Sequence, residues 1–223
     1  YFSLIKNTDH FVFFDTPQYI RKGWINRNRI LGTNGKDIYF TVPVEKCPRE
    51  TPIKEVKISH NEDWQEKWMG QLTIYKKRAP YYSTIMQLVR DVLSCDTQYI
   101  SEMAISSVIK TCQYLGIELN YDVCSKMSLP LLEVEAPDEW ALRIAQAMQY
   151  DTYVNPPGGK AFFDANKYKK ANIELEFLTQ EIQEYNQRVK EFIPGLSILD
   201  VMMFCDPEEI RGMMDSYKIE KGE

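Results

Sequence analysis

Residues 11–44, FVFFDTPQYIRKGWINRNRILGTNGKDIYFTVPV, are the stretch that decides the fold class. The run Phe11–Asp15 is uniformly apolar until its final acid, which predicts a short buried strand. Two further runs, Trp24–Leu31 and Asp37–Val44, flank a GTNG linker, and the Asn-Gly pair in that linker is a strong hairpin signal. The stretch therefore predicts a strand, a loop and a hairpin, in that order.

Working outward from this stretch, Tyr1–Asn7 predicts a helix before it, and residues 63–116 predict three helices after it. The break at Ala79-Pro80 separates the first two helices, Asp96 is placed to cap the third, and Gly116 is placed to end it. We therefore expect a helical insertion or cap over residues 63–116.

The last hundred residues return to alternating strands and helices. Thr152–Asn155 and Ile173–Leu178 predict strands, and helix starts are expected at Pro137, Ser197 and Asp206. Alternation at both ends of the chain predicts an α/β fold. A length of 223 residues suits one large domain, here 1–223, with the helical segment inserted in it.

The composition excludes several classes of protein. With 44% hydrophobic and 13% aromatic residues, the chain is not intrinsically disordered. No uncharged apolar run approaches the roughly 18–20 residues that cross a bilayer, so we expect no transmembrane segment. The five cysteines form no CxxC pair and there are only two histidines, so we expect free thiols and no metal site.

Charge is distributed unevenly along the chain. Residues 1–60 carry ten Lys and Arg against six Asp and Glu, whereas the rest carries seventeen against twenty-six. A sequence pI near 5.3 argues against nucleic-acid binding. A basic N-terminal quarter on an acidic body instead favours a small anion, such as a phosphate, carboxylate or nucleotide.

The strongest candidate site is the segment 14–29, FDTPQYIRKGWINRNR. If Trp24–Leu31 is a strand, Arg27 and Arg29 share one face and form a fork for a phosphate or carboxylate. Asn26 and Asn28, on the other face with Trp24, offer donors and acceptors for a polar ligand. Asp15 ends a strand, where ligands of open α/β sheets gather, and is the candidate catalytic acid or base. The alternative is an edge hairpin with ordinary salt bridges, including one from Asp15 to an arginine.

Three other segments are weaker candidates. NPPGGK at 155–160 lies between a strand and a helix start, where a Gly-Gly turn can cradle an anion, although a rigid turn explains it equally well. FIPGLSILD at 192–200 is explained mostly by a turn and a helix cap. KRAPYY at 77–82 joins two helices and could hold a sugar or a base through Tyr82.

Four of these segments together resemble the WbqC-like family. FVFFDTPQYIRKGWINRNRI, KRAPYY, YVNPPGG and FIPGLSILDVMMF occur in that order in its members, which are often encoded in clusters for O-antigen or other surface polysaccharides. In that family an apolar strand ending in Met-Gln-Pro precedes the Tyr-Phe seen at Tyr1-Phe2. The resemblance therefore implies that an N-terminal strand is missing from this chain.

The resemblance implies a cytoplasmic transferase that modifies a nucleotide-linked amino sugar, by glycyl or acyl transfer, with ATP or another nucleotide as cosubstrate. It implies a Rossmann-like sheet, because the order of elements resembles the start of a nucleotidylyltransferase. The rivals are a non-catalytic sugar- or nucleotide-binding accessory protein and a nucleotidylyltransferase-like enzyme.

The predicted site residues fall into three groups. The catalytic candidate is Asp15. The expected substrate-binding residues are Gln18, Tyr19, Arg21, Trp24, Asn26, Arg27, Asn28, Arg29 and Tyr82. The expected anion-binding residues are Asn155, Gly158, Gly159 and Lys160.

Overall fold

The computed structural model describes residues 1–129 and 133–222, so residues 130–132 and 223 of the predicted domain lie outside the described residues. Its α-helices are, in chain order, α1 (Phe2–Lys6), α2 (Trp64–Leu72), α3 (Tyr82–Leu93), α4 (Ile100–Leu115), α5 (Glu139–Ala147), α6 (Ala165–Lys170), α7 (Ile198–Phe204) and α8 (Pro207–Met214). None of the helices in these ranges combines the length and the apolar character that crossing a bilayer requires.

The strands are β1 (Phe11–Phe13), β2 (Arg27–Leu31), β3 (Asp37–Thr41), β4 (Tyr121–Val123), β5 (Thr152–Asn155), β6 (Glu174–Gln180) and β7 (Tyr217–Lys221). β1 pairs in parallel with β4, β2 pairs antiparallel with β3, and β6 lies between parallel β5 and antiparallel β7. The mixed α/β class is thus confirmed. The described strands form three small sheets and do not confirm one continuous Rossmann-like sheet.

Several local signals set the ends of these elements. The predicted hairpin is confirmed, with Leu31 opposite Asp37 and Gly35 at φ +71° in its linker. Gly116 ends α4 in the left-handed conformation, at φ 64° and ψ 35°. The Ser197 hydroxyl accepts a hydrogen bond from the backbone N–H of Leu199 and caps α7.

Three boundaries were predicted wrongly. The β2 strand begins at Arg27 rather than Trp24, because residues 21–26 form turns and bends instead of extended backbone. Asp96 does not cap α4, because that helix begins only at Ile100 and its N-cap is Tyr99. Pro137 precedes the Asp138 N-cap of α5 instead of opening the helix.

The main core joins the hairpin to the central and C-terminal helices. Its fully buried side chains include Ile30, Leu31, Tyr75, Leu115 and Met202. The helices at 63–116 therefore share one core with β2 and α7, which positions α3 and α4 beside the hairpin. That they are an insertion stays a prediction. A separate cluster packs α5 and α6 against β6.

A buried carboxylate ties the main core together. Asp200 is 0% exposed and accepts hydrogen bonds from the Tyr75 hydroxyl at 2.5 Å, the Tyr185 hydroxyl at 2.5 Å and Gln187 Nε2 at 3.1 Å. The backbone N–H of Leu31 donates to the Tyr75 hydroxyl at 3.0 Å. Burial raises the pKa of Asp200, although its three donors act to lower it. This network connects β2, the end of α2, the segment before α7, and α7 itself.

Glu139, at the start of α5, makes the fold sensitive to acid. The hydrogen bond from Lys167 Nζ at 2.9 Å, and then that from the backbone N–H of Glu135 at 3.1 Å, lower the pKa of Glu139. A lowered folded-state pKa stabilises the protein above the ordinary glutamate pKa of about 4.3, and this contribution is lost as the pH falls through the folded-state pKa. We expect the difference in unfolding free energy between wild type and Glu139→Gln to shrink as the pH falls below about 4.3.

The measurement is urea unfolding of the two proteins between neutral and acidic pH. Glu118→Gln, at an exposed glutamate, is the matched control and is expected to follow the wild type. A constant difference between wild type and Glu139→Gln at all these pH values would contradict the assignment.

Candidate functional site

A cavity of about 570 Å³ lies between the hairpin region and helices α3 and α4. The helices contribute a mostly apolar wall, which consists of Leu88, Val89, Val92, Leu93, Ile100, Ser101, Met103, Ala104, Ile105, Ser107, Val108 and Thr111. The remaining wall contains six predicted site residues from the segment 14–29: Asp15, Trp24, Asn26, Arg27, Asn28 and Arg29. Most of the N-terminal prediction is thus brought together in one cavity.

Asp15 lies where the two parallel strands β1 and β4 end. Its carboxylate accepts hydrogen bonds from the backbone N–H of Ser125 at 2.9 Å and from the Ser125 hydroxyl at 2.6 Å. Because β1 and β4 run in parallel, the residues that follow them meet at the same edge, which is where α/β sheets bind ligands. Asp15 is only 6% exposed, yet it lines the cavity. Within residues 1–129 and 133–222, the Asp15 carboxylate pairs with Ser125 and forms no salt bridge with an arginine, so the predicted salt bridge is wrong.

Cys124 lies beside this carboxylate. Burial raises the pKa of the Cys124 thiol, its contact with Thr16 at 3.6 Å lowers it, and the nearby charge of Asp15 raises it. A thiol with a raised pKa is protonated at neutral pH and is a weak nucleophile. Asp15 is therefore the ionisable group at this strand edge to which a proton-transfer role can be given.

Asn26 and Tyr19 hold each other in place. The Tyr19 hydroxyl donates to Asn26 Oδ1 at 2.9 Å, and Asn26 Nδ2 donates to the Val42 carbonyl at 2.8 Å. Both side chains are buried, and Tyr19 belongs to the core cluster around Val56 and Trp64. The two residues position the strand that carries the arginines. A direct role in reading a ligand stays a prediction for them.

The two arginines of the predicted fork have separate partners. Arg27 donates to the backbone carbonyls of Lys22 and Gly23, the latter at 3.1 Å, and its guanidinium lies against the rings of Trp24 and Tyr39. Trp24 thus lies on the Arg27 side of the hairpin, and its predicted placement with Asn26 and Asn28 is wrong because the strand starts only at Arg27.

Arg29 reaches across to the C-terminal part of the chain. Its Nη1 donates to Asp37 Oδ2 at 3.2 Å, and its Nη2 donates to the Gly195 carbonyl at 3.0 Å. Its Nε is buried and has no hydrogen-bond partner within residues 1–129 and 133–222. The Arg29 side chain is partly exposed and lines the cavity, so the accessible part of its guanidinium is placed to meet an anion there.

Asn28 also lines the cavity, and its Oδ1 accepts from the backbone N–H of Arg29 at 2.8 Å.

Other predicted residues lie apart from the cavity wall. Gln18 is exposed beside Pro52, and Arg21 donates to the Cys47 carbonyl at 2.8 Å. Tyr82 begins α3 and packs against the main core. The predicted substrate-binding residues that are not among those lining the cavity are Gln18, Tyr19, Arg21 and Tyr82.

The second predicted segment, 155–160, is also absent from the cavity wall. Asn155 ends β5 and accepts from the Tyr153 hydroxyl at 2.9 Å, while Lys160 Nζ lies 2.6 Å from Glu220 on β7. Gly158 and Gly159 lie in a 3₁₀ turn, and a Cβ on Gly159 would lie 2.5 Å from Asn155 Nδ2. Close packing explains Gly159, and an anion-binding role for this turn stays a prediction.

The described part of the chain contains no cluster of side chains that could bind a metal ion. There, no three His, Cys, Asp or Glu side chains come close enough to hold a metal ion, and all five cysteines are free.

Sequence reasoning missed two features. The α4 helix forms much of the cavity wall, whereas the sequence analysis placed its candidate sites in other segments. Its hydroxyl residues Ser107 and Thr111, which are one helical turn apart, were the available signal, together with Ser101 near the start of the helix. The Asp200 network was also missed, because a capping box already explained Asp200.

Comparison with known proteins places this geometry in a family. The chain is 25% identical over 205 residues to the uncharacterized protein Rv1507c of Mycobacterium tuberculosis (strain ATCC 25618 / H37Rv), an alignment that covers 91% of this chain and 86% of the relative. No solved structure gives a significant match. A model of the WbqC-like protein family matches residues 1–212, which includes every residue of the cavity wall. The chain therefore belongs to the WbqC-like protein family.

Proposed function

We propose that this protein is a transferase that modifies a nucleotide-linked amino sugar for O-antigen or other surface polysaccharide synthesis, by glycyl or acyl transfer to the sugar amine. The observation that supports the proposal is the joint placement of Asp15, Arg27 and Arg29 around one cavity. The arginines supply charge for the phosphates, and the apolar wall excludes water. The transfer chemistry and the pathway come from the family resemblance, and the cytoplasm is the location that we expect.

The proposed roles follow from the contacts. The Arg29 guanidinium, which lines the cavity and is partly exposed, would donate to a phosphate oxygen, and Arg27, on the same face of β2, would flank the same group. The sugar amine would attack the carbonyl carbon of an activated acyl group. A C–N bond forms, the bond to the leaving group breaks, and Asp15 accepts the proton that the amine releases.

The direct test supplies purified protein with a nucleotide-linked amino sugar, ATP and glycine, and follows the mass of the sugar. A mass increase of one glycyl group is expected, and pyrophosphate release alone would instead identify nucleotidyl transfer. If no sugar panel member changes mass and none binds, the proposed function is wrong.

Arg29→Ala is expected to weaken the binding of the nucleotide-linked sugar by about 10- to 150-fold, because a charge-assisted hydrogen bond contributes about 1.5–3 kcal/mol. Isothermal titration calorimetry measures the effect. Asp37→Asn is the matched control, since it removes the salt bridge at 3.2 Å and leaves the guanidinium in place. Binding that is unchanged in Arg29→Ala, or equally weak in both variants, would contradict the role of Arg29.

A non-catalytic binding protein is the second candidate. The Asp15 carboxylate accepts hydrogen bonds from both the backbone N–H and the hydroxyl of Ser125. These contacts give Asp15 a structural role, which favours a protein without a catalytic carboxylate. This candidate predicts that nucleotide-linked sugars raise the melting temperature without any product.

A nucleotidylyltransferase-like enzyme with a Rossmann-like sheet is the third candidate. The parallel pairing of β1 with β4, with Asp15 at the strand ends, favours it. It predicts pyrophosphate release from a nucleoside triphosphate.

A further inference from the structure

Two exposed aromatic rings stack beside the cavity. The centroids of Trp24 and Tyr39 lie 6.3 Å apart with an angle of 29° between the ring planes. Trp24 is 61% exposed and Tyr39 is 47% exposed. Trp24 also lines the cavity, so this pair lies at its rim. We refer to Trp24, Tyr39 and the Arg27 guanidinium beside them as the aromatic rim.

The aromatic rim is held in a fixed position. The Arg27 Cζ lies 4.6 Å from the Tyr39 ring centroid and 5.7 Å from the Trp24 ring centroid. The same guanidinium donates to the carbonyls of Lys22 and Gly23, which restrains it from below. Tyr39 lies on β3, paired opposite Arg29 on β2. The group is thus ordered before any ligand arrives, and ordering costs little on binding.

Packing inside the protein does not account for these rings. A core tryptophan is largely buried, as Trp64 is at 2% exposure, whereas Trp24 keeps most of its surface in water. A purely apolar protein partner would find a guanidinium in the middle of the patch, at a cost in desolvation. A flat ring that carries an attached anion matches both the aromatic faces and the cation.

We infer that the aromatic rim binds the nucleobase of the nucleotide-linked ligand, by stacking the base on Trp24. This rests on the proposed function and adds which half of the ligand lies where. The base would lie on the exposed ring at the rim, and the phosphates would lie toward the Arg29 guanidinium, which lines the cavity. Stacking explains recognition of a base without requiring hydrogen bonds to its edges, because every base has a π face.

The test compares nucleotides with a probe that has no base. Binding of ADP, GDP, UDP, CDP and inorganic pyrophosphate is measured by calorimetry on the wild type, Trp24→Ala and Trp24→Phe. We expect the nucleotide that binds best to lose about 10-fold or more in affinity in Trp24→Ala and to stay within about 3-fold of the wild type in Trp24→Phe. Pyrophosphate affinity should be the same in all three proteins.

The matched control is Trp140→Ala, at an exposed tryptophan that does not line the cavity. Quenching of tryptophan fluorescence by the nucleotide should survive in Trp140→Ala and be smaller in Trp24→Ala, where Trp68 is the tryptophan left in the cavity wall. Equal nucleotide affinity in the wild type and Trp24→Ala would overturn the inference and leave the proposed function standing. A parallel loss for nucleotide and pyrophosphate would also overturn it, since that pattern is a general defect. Absence of any nucleotide binding to the wild type would overturn both.

Discussion

Asp200→Ala is expected to lower the free energy of unfolding by about 3–5 kcal/mol, as for a buried polar network that loses its central member. Asp200 is fully buried, and its removal takes this acceptor from the Tyr75 and Tyr185 hydroxyls. Gln187 Nε2 also loses Asp200 but keeps its hydrogen bond to the Ile193 carbonyl at 3.0 Å. The measurement is reversible urea unfolding at neutral pH, followed by fluorescence and circular dichroism together. A loss smaller than about 1 kcal/mol, the net value of one ordinary hydrogen bond, would show that the network does not hold the core together.

Asp200→Asn is the matched variant, because it preserves the shape of the side chain and one acceptor oxygen. We expect it to cost less than Asp200→Ala, and its pH dependence to differ from that of the wild type. Burial raises the pKa of Asp200, so its stabilising contribution is fully present below the ordinary aspartate pKa of about 3.9 and is lost as the pH rises through the folded-state pKa. The stability of the wild type relative to Asp200→Asn should therefore fall as the pH rises from about 3.9.

Asp15→Asn is expected to lower the rate of transfer by about 10²- to 10⁴-fold while changing the stability little, as for loss of a general base. Asparagine can still accept from the backbone N–H of Ser125 and can donate to its hydroxyl, so both contacts of the wild-type carboxylate remain possible. It cannot accept a proton at neutral pH. The measurement is steady-state product formation by mass spectrometry, with the melting temperature as a check on folding.

Ser125→Ala separates the two roles of this pair. It removes the hydroxyl hydrogen bond at 2.6 Å and leaves the Asp15 carboxylate ionisable, so we expect less than about a 10-fold loss of rate. Full activity in Asp15→Asn would rule out proton transfer by this residue. An equal loss in Asp15→Asn and Ser125→Ala would assign Asp15 to positioning alone.

Local signals predicted those parts of the fold whose cause lies within a few residues. The Asn-Gly linker produced the hairpin, Gly116 ended α4, and Ser197 capped α7. Each of these depends on a backbone conformation or a neighbouring side-chain oxygen. The sheet arrangement is different, because the pairing of β1 with β4 is decided by packing between distant segments.

The sequence indicated several residues that line the cavity, but it did not indicate their contacts. Alternation along β2 places Arg27 and Arg29 on one face. Arg27 donates to the Gly23 carbonyl in the preceding turn, however, and Arg29 donates to the distant Gly195 carbonyl. No local pattern indicates such a contact. The Asp15 contact with Ser125 was hidden for the same reason, since strand order is a tertiary property.

The pairing of Phe11 with Tyr121, and the hydrogen bond from Arg29 to Gly195, also bear on the order in which the chain folds. Closing such long loops costs conformational entropy before any contact repays it, so helical contacts between neighbours such as α3 and α4 precede them. We therefore expect the walls of the cavity to be completed late in folding. A chain still emerging from the ribosome lacks Gly195, so Arg29 can reach this carbonyl only after nearly the whole chain has been synthesised.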